Sequence, residues 1–249
     1  MKFGGLYALN EVSFEINKGE LFSIIGPNGS GKSTMFNVIT GVYTPTAGKV
    51  YLHNDDITGF APYKINRLGL GRTFQNPKLF TDVTVLENII VPLSVRSGSP
   101  LAWELLSKRV HKKIHDEMTP IAMNALEVTG LKGKENHAAG MLSYGDQKRL
   151  EIARCYATSP DIIMLDEPVA GLNTEERDEM NALIKDINKR GMTIVLIEHD
   201  MKMVMGISDR IMVLNHGSPI AFGTPLEISN NPDVIKAYLG VEETDDEYA

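Results

Sequence analysis

Residues 21–34 read LFSIIGPNGSGKST, and this stretch constrains the fold more than any other. It opens with an apolar run, Leu21 to Ile25, of the length of a buried parallel strand. Gly26, Pro27, Asn28, Gly29, Ser30, Gly31, Lys32 and Ser33 then fit G-x-x-x-x-G-K-[ST] without a mismatch. A helical stretch follows from Thr34 and is stopped by Gly41. Strand, glycine loop and helix is the context in which backbone N–H groups can turn inward around a phosphate chain. Lys32 can then reach the β- and γ-phosphates, and Ser33 can offer its hydroxyl to Mg²⁺. The helix N-terminus, with Thr34 in its first turn, adds a favourable positive field.

Around this core the rest of the chain alternates strand-like and helix-like patterns. Residues 1–16 read as an antiparallel ribbon, because Val12, Phe14 and Ile16 alternate with Ser13 and Glu15. Phe3 and Tyr7 lie upstream of the loop, where either ring could face a purine or pack in the sheet. A helix is expected over 61–68, opened by Pro62, and a strand over 71–74, with Gln75 just after it. Residues 83–90 look helical and should end before Pro92. Residues 94–100 read as a linker, and 103–131 as two helices, the second starting at Thr119-Pro120. Trp103 is read as a packing residue. This interruption of the α/β alternation marks residues 84–142 as an inserted helical subdomain. The core would then be 1–83 and 143–240, followed by an acidic tail, 241–249.

Ser143 is placed as the N-cap of a helix running to Thr158, with Asp146 three residues on as a short-armed capping box. Leu150, Ala153 and Ala157 give that helix an apolar stripe, and Cys155 reads as a small core residue. The apolar run 162–165 ends in Asp166-Glu167, and the run 193–197 ends in Glu198-His199-Asp200. A hairpin is expected around Asn215-His216-Gly217-Ser218, and Pro225 and Pro232 open two short helices.

The 249 residues suffice for one large α/β domain, and the net charge of −7 argues against a nucleic acid held by bulk charge. Cys155 is the only cysteine, which excludes a disulfide framework and a cysteine zinc site. No apolar run approaches the roughly 20 residues that span a bilayer, and the N-terminal residues do not pattern as a signal peptide. The chain is therefore expected in the cytosol or attached to the cytosolic side of something else.

Adjacent carboxylates at the end of a buried strand are costly unless they meet a cation or a proton-transfer task. The carboxyl edge of an open α/β sheet is where ligands sit. Asp166 and Ser33 are expected to hold Mg²⁺ beside a nucleoside triphosphate, with Glu167 polarising water for attack on the γ-phosphate. His199 would orient that water or the γ-phosphate oxygens, and Gln75 would contact metal or water. Local chemistry does not separate ATP from GTP, or a hydrolase from a kinase.

Taken together and in order, these residues resemble an ABC transporter ATPase subunit over nearly the whole chain. Gln75 in TFQNP resembles the family's Q-loop, and residues 142–147, LSYGDQ, resemble its LSGGQ signature. Residues 162–167 resemble the Walker B strand, Ala170-Gly171-Leu172-Asn173 the D-loop, and His199 the switch histidine. Phe3 lies where the family places its adenine-stacking aromatic. The signature departs in two places. Tyr144 replaces a glycine, and Asp146 replaces glutamine and brings a carboxylate towards a phosphate site. The resemblance implies a P-loop NTPase fold, with an N-terminal antiparallel ribbon and an inserted helical subdomain. It implies ATP and Mg²⁺ as ligands, and a head-to-tail pair with a second ATPase subunit. Ser143 and Gly145 of one copy would contact the γ-phosphate held by the other. It further implies two permease subunits, a solute-binding protein as an indirect partner, and a peripheral place on the cytoplasmic face of the membrane. FGGLYALNEVSF, LSYG, DEPVAGLN and GTPLEISNNPDVIKAYLG, with the long insert 95–119, are most similar to branched-chain amino acid importer ATPases. Urea or amide importers and the lipopolysaccharide exporter ATPase share much of this pattern. Chromosome-maintenance ATPases carry coiled coils or zinc modules between the same motifs, and ABC-type translation factors carry two cassettes. Neither feature is found here.

Overall fold

A computed structural model describes residues 1–96 and 108–239; Trp103 and the acidic tail lie outside them. A short hairpin of β1 (Lys2–Phe3) and β2 (Leu6–Tyr7) comes first, then β3 (Leu21–Ile25) and α1 (Lys32–Ile39). A second hairpin, β4 (Tyr51–Leu52) and β5 (Asp55–Asp56), is followed by α2 (Pro62–Arg67) and β6 (Leu70–Arg72). Three longer helices come next: α3 (Val85–Arg96), α4 (Lys108–Val128) and α5 (Tyr144–Ala157). The chain then alternates through β7 (Ile162–Asp166), α6 (Thr174–Lys189), β8 (Thr193–Ile197) and α7 (Met201–Ile207). It closes with β9 (Arg210–Asn215), β10 (Ser218–Gly223), α8 (Pro225–Ser229) and α9 (Pro232–Leu239).

Six strands form the main sheet in the order β10-β9-β3-β8-β7-β6, parallel throughout except for the β9–β10 hairpin. Both faces are covered, which is why β3, β7 and β8 read as near-continuous apolar runs, with only the small Ser23 inside β3. Phe22 and Ile24 point into one cluster with Met35 and Phe36 of α1, and Leu21 into another with Ile184 and Ile187 of α6. The carboxyl ends of β3, β6, β7 and β8 therefore share one edge, and each is followed by a residue named above.

Three sequence expectations are corrected. The N-terminal ribbon is only the four-residue pairing of β1 with β2. Val12, Phe14 and Ile16 keep their alternating burial and pack on the core, with Phe14 stacked on Phe22 at 5.5 Å, but without a ladder. Pro92 lies inside α3 rather than beyond it. The stripe Val85, Ile89, Ile90 and Leu93 is buried on both sides of the proline, and that packing outweighs one missing N–H donor. Pro120 likewise lies inside α4, where Met118, Ala122, Ala125 and Leu126 form one buried face.

α3, α4 and α5 share an apolar cluster of their own, which takes in Leu150, Ala153 and Ala157 of α5. Ile152 and Cys155, also on α5, belong instead to the cluster under the sheet. That helix thus has one face in each core.

Candidate functional site

The glycine loop is fixed by close backbone approaches. A β-carbon at Gly26 would run into the Leu214 carbonyl, and one at Gly31 would sit 2.6 Å from the Ala8 carbonyl. Gly31 also has φ 105, a conformation that side chains oppose. The Gly217 N–H donates to the Ser30 carbonyl at 3.0 Å, so the tip of the β9–β10 hairpin braces the loop from behind.

Lys32 is buried, and its Nζ donates to the carbonyls of Gly26 at 2.7 Å and Pro27 at 2.9 Å. Burial lowers its pKa, and the charge of Glu167 works the other way. Among the described residues no carboxylate forms an ion pair with it. A buried ammonium with no carboxylate paired to it suits a polyanion such as a triphosphate. Ser30 Oγ is buried with no hydrogen-bond partner. Ser33 is exposed at the loop's end, and Thr34 is half-buried behind it.

Opposite the loop, Gln75, Glu167 and His199 come together from three strand ends. Gln75 Nε2 donates to Glu167 Oε2 at 2.8 Å, and His199 Nδ1 lies 3.8 Å from Glu167 Oε1. Glu167 has φ 47, and its N–H donates to the Ile197 carbonyl at 3.0 Å. A positive φ on a glutamate just beyond a buried strand is the kind of strain that accompanies functional sites.

Asp166 is buried, and its Oδ2 accepts from Arg72 at 3.0 Å. Arg72 also donates to Asn37 and Thr40 and lies against the rings of Phe36 and Phe74. Among the described residues no group of three or more His, Cys, Asp or Glu side chains could hold a metal alone. A single carboxylate with a hydroxyl is still the oxygen chemistry of a Mg²⁺ site completed by phosphate and water. Asp166 and Ser33 fit that role, while Gln75 is turned towards Glu167.

Ser143 and Gly145 stand apart from this edge. They line a small cavity of about 130 Å³ with Asp146, Arg149, Leu172 and Glu176. Ser143 Oγ caps α5 by accepting from the Asp146 N–H at 3.2 Å. The predicted capping box is not completed, because the Asp146 carboxylate is ion-paired with Lys134 rather than returning to the cap. That pairing offsets the extra charge beside the helix tip. The Tyr144 ring lies over Gly171, where a β-carbon would come within 2.9 Å of it, so the tyrosine fills space against the following loop.

Phe3 is 43% exposed and meets Tyr43 edge-on at 5.3 Å, while Tyr7 carries Lys2 over its ring. A cavity of about 620 Å³ borders Pro27, Asn28, Gly29 and Ser30 and reaches α9. It touches neither Phe3 nor Gln75, Asp166, Glu167 or His199, so it adjoins the reacting edge without being it.

Sequence reasoning assigned no role to four charged residues. Arg72 holds Asp166, and Lys148 donates to the carbonyls of Gln75 and Glu167. Glu198 is fully buried and accepts from the N–H groups of Val169 and His199, tying two loops together; its pKa is raised by burial. Glu151 is the fourth. The only signal for Glu198 was its place at a strand end, and the helical charges carried none.

The ABC transporter family pattern matches residues 9–170, and the pattern described as branched-chain amino acid ATP-binding cassette transporter matches residues 218–244. The high-affinity branched-chain amino acid transport ATP-binding protein LivG of Salmonella typhimurium is 50% identical over 241 residues, covering 96% of this chain and 94% of that protein. A crystal structure of an ATP-binding cassette of an ABC transporter in its ADP conformation superposes with a TM-score of 0.84 at 36% identity, covering 97% of this chain and 96% of that one. A dimeric cassette in a post-hydrolysis state, bound to ADP and Pi, superposes with a TM-score of 0.73 at 31% identity, covering 90% and 94%.

Proposed function

The chain belongs to the ABC transporter family, and from that premise we propose that it is the ATP-binding and hydrolysing subunit of a branched-chain amino acid importer. The observation that carries the ATPase reading is the meeting of Gln75, Glu167 and His199 at the edge that holds the phosphate loop. The solute rests on the C-terminal match and on the LivG relationship.

In this reading the N–H groups of residues 26–33 cradle the triphosphate, and Lys32 swings from the Gly26 and Pro27 carbonyls onto its β- and γ-oxygens. Mg²⁺, when bound, would supply positive charge against the charge that develops on the phosphate. Ser33 and Asp166 would hold it, with Gln75 in reach, and Asp166 would then share or release Arg72. Glu167 takes up the proton of the attacking water, and His199 fixes that water and the γ-phosphate oxygens. Phe3, with Tyr43 beside it, offers a ring to the adenine. Ser143 and Gly145 serve the nucleotide of a second subunit, because nothing of their own chain's phosphate loop lies near them. ATP then acts as the adhesive of a head-to-tail pair on the cytoplasmic face of the membrane. Two permeases and, indirectly, a solute-binding protein complete the assembly. The division into core 1–83 and 143–240 and helical part 84–142 belongs to the same proposal, supported by the separate apolar cluster of α3 and α4.

Glu167→Gln tests this directly. It should keep ATP affinity, slow turnover by about a hundredfold or more, and run as a dimer on gel filtration with MgATP. A variant that stays monomeric under those conditions would remove the paired mechanism. The solute is tested by uptake with the membrane partners co-expressed: leucine should enter, and uptake of urea alone would replace the assignment.

A further inference from the structure

Helix α5 begins at the Ser143 tip and passes beneath the segment that carries Gln75. Lys148, Glu151 and Arg154 recur on it every three residues, so they share one face. Such a charged row ordinarily faces water. Here Lys148 is 3% and Glu151 7% exposed. All three are spent on main-chain groups of residues 74–78. Lys148 Nζ donates to the Gln75 carbonyl at 3.1 Å, and Glu151 Oε1 accepts from the Phe74 N–H at 3.1 Å. Arg154 donates to the Lys78 carbonyl and lies against the Phe80 ring. Lys148 makes a second bond, to the Glu167 carbonyl at 2.8 Å. One helix face therefore grips the main chain on both sides of Gln75 and the backbone of the glutamate that Gln75 touches. Burying these charges is costly, and nothing in the sheet's own packing requires it.

We propose that Glu151 is a positioning residue for ATP hydrolysis, which with Lys148 and Arg154 fastens the Gln75 segment to α5. The side chain of Gln75 then reaches Glu167 only while that helix is seated. The idea rests on the hydrolytic reading above. It adds that the helix presenting Ser143 to a partner also sets the Gln75–Glu167 contact, so engagement of the tip is felt at the water-activating carboxylate.

The test uses Glu151→Ala and Glu151→Gln, each alone and combined with Gln75→Ala, in the full chain. Glu151→Ala should leave the Kd for ATP within about twofold and lower kcat about tenfold or more. Glu151→Gln keeps an oxygen acceptor for the Phe74 N–H and should recover much of the loss. In the Gln75→Ala background, Glu151→Ala should cost nothing further, since residues acting through one another are not additive. Full additivity would overturn the proposal. Hydrogen exchange over residues 73–80 supplies a readout that needs no turnover. Exchange should be faster in Glu151→Ala and restored in Glu151→Gln, and unchanged protection would also overturn the proposal. Failure of the hydrolytic reading would show differently, as absence of turnover in the unsubstituted chain.

Discussion

Glu151 also has a titration that can be followed on its own. Burial pushes its carboxyl from the ordinary 4.5 up to about 7, against the backbone N–H groups of Phe74 and Lys78 and the charges of Arg154 and Lys148. The native chain thus keeps this proton over a range in which the unfolded chain has lost it. The stability linked to it is fully present below pH 4.5 and is lost as pH rises through about 7, with a span of roughly 3 kcal/mol. Urea unfolding at pH 5 and pH 8 should therefore show a larger fall for the unsubstituted chain than for Glu151→Gln, whose amide does not titrate. Equal falls would mean that Glu151 is ionised in the native state at both values. The residue was illegible in the sequence for a plain reason. A glutamate between a leucine and an isoleucine on a helix looks like any solvated charge. Its partner is a main-chain N–H of Phe74, 77 positions earlier, and such a partner leaves no mark in side-chain pattern. Lys32, Asp166, Glu167 and His199 were legible because each lies within two residues of the end of an apolar run or a glycine loop.

At the scale of elements, β3, β7 and β8 were readable because both of their faces are buried and their interiors are apolar apart from the small Ser23. The prolines of α3 and α4 misled for the complementary reason. Local chemistry counts the lost N–H but not the buried stripe that holds the helix through it. Packing between elements is also tightest where the sequence is least informative. Gly71 on β6 faces Cys155 on α5, and a β-carbon there would collide with Sγ. Gly71→Ala should cost about 1–3 kcal/mol of unfolding free energy. Cys155→Ala in the same chain should recover part of that, because the sulfur is the obstructing atom. A double variant no more stable than Gly71→Ala would locate the strain in the β6 backbone instead. The contact matters for the site, since Arg72 and Gln75 follow within four residues of Gly71 and inherit any displacement of the strand.

For the whole molecule, the separation of the phosphate loop from the Ser143 tip supports the proposed head-to-tail meeting of copies. The phosphate loop lies at the end of β3 and the Ser143 tip at the start of α5, and the cavity at that tip is lined by α5, Leu172 and α6 rather than by the loop. In the proposed pairing, a single copy would hold one half of each of two composite sites. In a head-to-tail pair, Lys32→Ala damages the loop half and Ser143→Arg the tip half, and either homogeneous pair has two defective sites. Mixed pairs have one site with both defects and one with neither. Two individually inactive proteins should then regain ATPase activity on mixing, rising with the fraction of mixed pairs towards about half of the unsubstituted rate per pair if the sites act independently. Ser143→Arg also removes an N-cap, worth about 1 kcal/mol, so its folding should be checked by far-UV circular dichroism before mixing. A mixture as inactive as its components, while Glu167→Gln still dimerises with MgATP, would show that both sites must be intact to fire. Recovery from Ser143→Arg alone would show that the tip serves no partner's nucleotide at all.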